Sequence, residues 1–154
     1  MRITKTLFTM IMLFLLLVPI TVNAAESGAY SSTKSMPDGY TIKCSIVTKN
    51  DGTFAQATYG IIPAGLLKNV FGWILFQVQV DPGTDPIDLS CDITLTDDLG
   101  ADVLDGALVG INGTADKIYW PNVYKVRSAT LTLDIVNNGE GDGAADIYLT
   151  FLKP

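Results

Sequence analysis

Asp88-Leu89-Ser90-Cys91-Asp92-Ile93-Thr94-Leu95-Thr96 is the stretch that decides the fold. Leu89, Cys91, Ile93 and Leu95 alternate with Ser90, Asp92, Thr94 and Thr96. That period of two lines one side of an extended chain with apolar groups and the other with polar ones. A strand with one face in a core and one in water follows. Upstream, residues 40–48 alternate through Ile42, Cys44 and Ile46, and Asn50-Asp51-Gly52 predicts a turn into a hairpin partner at 53–59. Residues 70–80 form the longest predicted strand, with Val70, Ile74, Phe76, Val78 and Val80 on one face and Gln77 and Gln79 on the other. Asp81-Pro82-Gly83-Thr84-Asp85-Pro86 ends it.

Downstream, residues 118–121 predict a short strand closed by Pro121, because proline cannot donate to a central ladder. Residues 128–136 alternate through Ala129, Leu131, Leu133 and Ile135, and 145–152 through Ile147, Leu149 and Phe151. Residues 61–69, with Pro63 and Gly65, read as a connection with one helical turn at 66–69. Six to eight short strands separated by turns predict an all-β fold, an antiparallel β-sandwich over residues 40–154 as a single domain. Residues 25–39 are small and polar and predict a flexible leader.

Before that leader, Arg2 and Lys5 precede the apolar run 7–20, and Val22-Asn23-Ala24-Ala25 offers a small-residue cleavage site. This order is that of a secretory signal peptide over residues 1–24, which predicts a secreted, periplasmic or extracellular domain with no stable membrane span after processing. An uncleaved N-terminal anchor is the rival reading. Ten basic residues less Arg2 and Lys5 leave eight against sixteen acidic ones, a net charge of −8. Nucleic acid is not an expected partner, since phosphates need clustered Lys and Arg. The chain has no histidine, which removes His-dependent triads and the commonest general base. Cys44 and Cys91 are the two cysteines. In an oxidising compartment they predict a disulfide joining two strands, against the alternative of two buried thiols.

Two acidic clusters suggest a cation. Asp97, Asp98, Asp102 and Asp105 follow one strand, and Asn138, Glu140, Asp142 and Asp146 lie near another. Calcium takes several carboxylate and carbonyl oxygens, which such loops supply, but neither cluster has the spacing of a helix–loop–helix site. The competing reading is turn chemistry, where Asp, Asn and Gly serve the backbone. No other cofactor is expected. Nothing fixes a pair of carboxylates across a cleft, so no enzymatic role is expected. Tyr119, Trp120 and Tyr124 cluster about Pro121, with Lys117, Lys125 and Arg127 close by. They are either a sugar or protein contact surface or, for Trp120, a cap on the core. Trp73 reads as core. Asn112-Gly113-Thr114 matches a glycosylation acceptor.

One set of words is shared with a known group. Asp81-Pro82-Gly83-Thr84, Asp92-Ile93-Thr94-Leu95-Thr96-Asp97, Gly100-Ala101-Asp102-Val103-Leu104-Asp105-Gly106, Leu131-Thr132-Leu133-Asp134-Ile135 and Ile147-Tyr148-Leu149-Thr150-Phe151 carry it. Over residues 73–152 the chain resembles small all-β proteins encoded among the structural genes of tailed bacteriophages and prophages. The resemblance implies a virion-associated or accessory structural protein without catalytic residues. The expected function is thus a non-enzymatic, exported β-sandwich that contacts a protein partner or itself. The alternative is an extracellular carbohydrate- or calcium-binding module.

Overall fold

The computed structural model describes residues 27–48, 59–82, 91–111, 116–122, 124–136 and 143–154. Among these residues the elements are β1 (Ser27–Met36), β2 (Gly39–Val47), α1 (Ala64–Val70), β3 (Ile74–Pro82), β4 (Asp92–Asp97), β5 (Lys117–Tyr119), β6 (Tyr124–Lys125), β7 (Leu131–Val136) and β8 (Ala144–Leu152). Every strand pairing is antiparallel. One sheet runs β1-β2-β8-β3-β5, with β6 also on β3, and β4 and β7 form a second. The all-β class expected from the alternation is the one observed.

Period two builds the core directly. Ile42, Cys44 and Ile46 of β2, Ile147, Leu149 and Phe151 of β8, and Leu75 and Val78 of β3 are buried with Ile93, Leu95, Leu131 and Leu133 of the second sheet. They form one cluster, to which α1 adds Leu67 and Val70. Each buried Leu, Ile or Phe contributes about 1.5–3 kcal/mol, offsetting the entropy of ordering the chain.

The expected leader is a strand. Residues 27–36 form β1, in continuous register with β2 from Ser27↔Val47 to Thr33↔Thr41. Ser and Thr hide the alternation, but Tyr30 still packs against the core and donates its hydroxyl hydrogen to the Tyr59 carbonyl. Gly28 explains how residue 59 comes so near: a Cβ there would sit 2.8 Å from the Tyr59 Cβ. Pro37-Asp38 makes the turn, with Met36 opposite Gly39; proline presets φ for it. β2 has β1 on one side and β8 on the other, and the hairpin partner expected at 53–59 lies, up to residue 58, outside the described residues.

β3 corrects the single face expected for residues 70–80. Val70 belongs to α1, and Gly72, at φ +83°, turns the chain into the strand. The register with β8 slips between Leu75 and Gln77, so Phe76 is an extra residue. Such a bulge reverses the phase. Leu75 is therefore buried and Phe76 exposed.

The expected disulfide is also overturned. Cys44 and Cys91 are both buried and unbonded. Cys44 belongs to the six-stranded sheet, whereas Cys91 precedes β4 in the other layer and directs its thiol to the Ile111 carbonyl at 3.9 Å. The segment read as a signal peptide, 1–24, lies outside the described residues. Among those described, no helix is long and apolar enough to cross a membrane.

Candidate functional site

Three polar or exposed regions carry the residues singled out above. The first is the turn after β4. Asp97 Oδ1 accepts from the backbone N–H groups of Leu99 and Ala101, each at 3.0 Å. Asp102 Oδ1 accepts from Leu95 at 3.2 Å and Leu104 at 3.0 Å, while its Oδ2 accepts from Gly106 at 2.9 Å. Asp98 bonds across to the 128–130 turn: its N–H donates to Ser128 Oγ at 2.9 Å. Asp105 takes a left-handed φ of 53°. The Asp97 and Asp102 carboxylates are spent on backbone donors, and among the described residues no group of three or more Asp, Glu, Cys or His is gathered to hold a metal. Of the second cluster, Asn138, Glu140 and Asp142 lie outside the described residues, as does Asn112-Gly113-Thr114.

The second region is the solvent face of the large sheet. Lys43 Nζ lies 2.7 Å from Asp146 Oδ2 and 5.5 Å above the Tyr148 ring. Ser45 donates to Asp146 Oδ1 at 2.6 Å. Burial pushes the Asp146 carboxyl up, but the hydrogen bonds from Lys43 and Ser45 and the Lys43 charge hold it below the usual carboxylate range. The same bond to Asp146 raises Lys43. Thr41 and Thr150 hydroxyls meet beside them at 3.2 Å.

The third region is the edge of β3. β5 covers it at Val78–Val80 and β6 at Ile74–Leu75. Between them the ladder opens at Phe76–Gln77, where the neighbouring chain holds Pro121, which cannot donate, and where β3 also slips against β8 on its other side. Both irregularities fall at one place. They leave Phe76, Ile118 and Trp120 exposed, at 44%, 49% and 60% of their surface. Tyr119 and Tyr124 pack against the core behind them, so the expected contact trio splits: Trp120 faces solvent and the two tyrosines support it. The reading of Trp120 as a core cap is thereby overturned. Burial pushes the Tyr124 hydroxyl up to about 12, with the negative charges of Asp97 and Asp98 adding to it.

Trp73 is partly buried against the core as expected, edge-on to Tyr40 at 6.4 Å. Phe76 and Ile118 escaped the sequence reading, because strict alternation placed Phe76 inside. The one signal that could have found them is Pro121, which marks where the neighbouring strand must break.

A second apolar surface lies between α1 and the 128–129 turn. It is a shallow, open cavity of about 400 Å³ lined by Ala64, Leu67, Lys68, Phe71, Ser128 and Ala129. Buried thiols complete the inventory: desolvation pushes Cys44 up to about 12, and desolvation with the Asp92 charge pushes Cys91 up to about 11. Neither is a poised nucleophile at neutral pH.

Comparison with protein families, with curated proteins and with solved structures finds no match for this chain.

Proposed function

We propose that this is an exported, non-enzymatic β-sandwich that acts as a structural or accessory subunit, contacting a protein partner through the interrupted edge of β3. The observation that carries this reading is the exposure of Phe76, Ile118 and Trp120 around one break in the ladder. Large apolar side chains cost about 25 cal/mol per Å² to leave in water, and covering them returns that energy. Tryptophan is enriched among residues that dominate protein interfaces, and the flanking Lys117 and Lys125 supply a polar rim. The order of residues 1–24 supports export. The words shared with tailed-phage proteins support an accessory role, virion-associated in the phage setting.

Trp120→Ala tests the site. Purified protein is titrated against isolated envelope or virion components, with affinity and melting temperature followed together. The variant is expected to lose about 30-fold or more in affinity, as a hot spot does. Its stability is expected to stay within about 0.5 kcal/mol of the parent, because an exposed side chain supports little of the fold. Equal binding by the variant, or no binding by the parent, rejects the proposal.

A further inference from the structure

The two edges of the large sheet are built differently, and the second edge suggests a second surface. Among the described residues β1 has β2 as its one strand partner. It is ten residues long and keeps register from Ser27 to Thr33. Proteins usually guard such an edge with proline, charge, a bulge or brevity. None of these interrupts residues 27–33, whose register shift comes only after Thr33. Ser27, Ala29, Ser31 and Thr33 are small and exposed, so they leave the backbone accessible.

We propose that β1 is a self-association edge, at which two copies of this chain pair β1 with β1, antiparallel about a two-fold axis. The large sheet then continues from one copy into the other, with the same patch used by both. Charge selects a second copy as the occupant. The chain is net acidic at −6, so copies repel wherever carboxylates face one another. β1 has no acidic residue and one basic one, Lys34, and β2 has no acidic residue either. This flank is where two acidic copies meet without opposed carboxylates. Antiparallel pairing centred near Ser31 keeps the two Lys34 side chains at opposite ends. The surface is separate from the Trp120 edge and does not depend on its role.

The test is the mass of the purified protein in solution over a concentration series, by sedimentation or light scattering. The parent is expected to reach twice the mass of one chain. Ala29→Lys with Ser31→Lys sets like charges against each other across the axis, and the mass is expected to fall by half with the melting temperature little changed. If that pair fails to fold, single cysteines at Ala29, Ser31 and Thr33 serve instead. Cys44 and Cys91 are buried, so the new thiol is the one that oxidises, and a cross-linked pair is expected at or next to Ser31. A parent of single-chain mass with no cross-link at any of the three overturns the proposal. So does a pair that survives the double lysine variant but dissociates on Trp120→Ala.

Discussion

The two sheets reach the same end by different means. The six-stranded sheet is held by long ladders: β2 matches β8 without a slip from Gly39↔Leu152 to Val47↔Ala144, and β8 matches β3 beyond it. The second sheet has one ladder, six residue pairs between β4 and β7. Its outer sides are finished by irregular chain. On the β4 side Val103 donates to the Leu95 carbonyl and Ile93 to that of Leu108, while Ile62 donates to Leu131 beside β7. Where strands run out, carboxylates take over. Asp102 satisfies three backbone donors and Asp97 two. The lesson is that acidic loops next to a short sheet are that sheet's missing neighbours before they are anything's ligands.

The largest expected effect comes from the layer with the ladders. Phe151 is fully buried on the central strand β8. Phe151→Ala removes its transfer energy and leaves a cavity, and is expected to cost about 3–5 kcal/mol. Denaturant titration checks this, and both layers are expected to lose structure together because they share one core. Separate transitions for the two layers would break the comparison by showing that the second sheet folds alone.

Asp102 comes next. Asp102→Ala orphans the N–H groups of Leu95, Leu104 and Gly106, and each unsatisfied donor away from water costs about 1–3 kcal/mol. Gly106 is exposed and regains water, so the loss is expected to come from Leu95 and Leu104. Asp102→Asn keeps an oxygen for Leu95 and Leu104 and is expected to cost less. Hydrogen exchange locates the damage: amides of 95–106 are expected to lose protection while those of β2 and β8 keep it. Uniform loss across both layers would show that the carboxylate is no local substitute for a strand.

The alternation made the fold legible. β2, β7 and β8 each carry three or more inward apolar residues, β4 carries two with Cys91 just before it, and four such rows suffice for an all-β core. β1 was illegible because its inward row is Gly28, Tyr30 and Ser32, one large group among small ones. Its strand state is imposed by the free side of β2, a tertiary cause. The bulge at Phe76 was hidden for a related reason, since a one-residue insertion in a strand of apolar residues still reads as continuous alternation. Cys44 and Cys91 share inward positions, but layer membership is not written in period two, so their unbonded state could not be read. At the candidate site Trp120 was visible by type, whereas its exposure beside the break between β5 and β6 follows from tertiary strand pairing.

The smallest effect sharpens the contrast between carboxylates. Asp146 lies on the solvent face of the large sheet, bonded to Lys43 and Ser45 rather than to backbone. Burial alone would raise its carboxyl, but the Lys43 and Ser45 hydrogen bonds and the Lys43 charge lower it instead. A carboxyl lowered on folding adds stability above its unfolded value, and that contribution disappears as pH falls through the folded value. The melting temperature of the parent is therefore expected to drop more steeply than that of Asp146→Asn as the solution is acidified below about pH 4, the unfolded carboxylate range. At lower pH, where Asp146 is protonated in both states, the two curves are expected to run parallel. Near neutrality the difference is expected to be less than for Asp102→Ala, because the ladders on both sides of β8 hold the strand without the pair. Equal slopes throughout the acid range would mean that the ion pair forms equally in the unfolded chain. A neutral-pH loss as large as that of Asp102→Ala would show that the well-laddered layer leans on its carboxylate as heavily as the short one does.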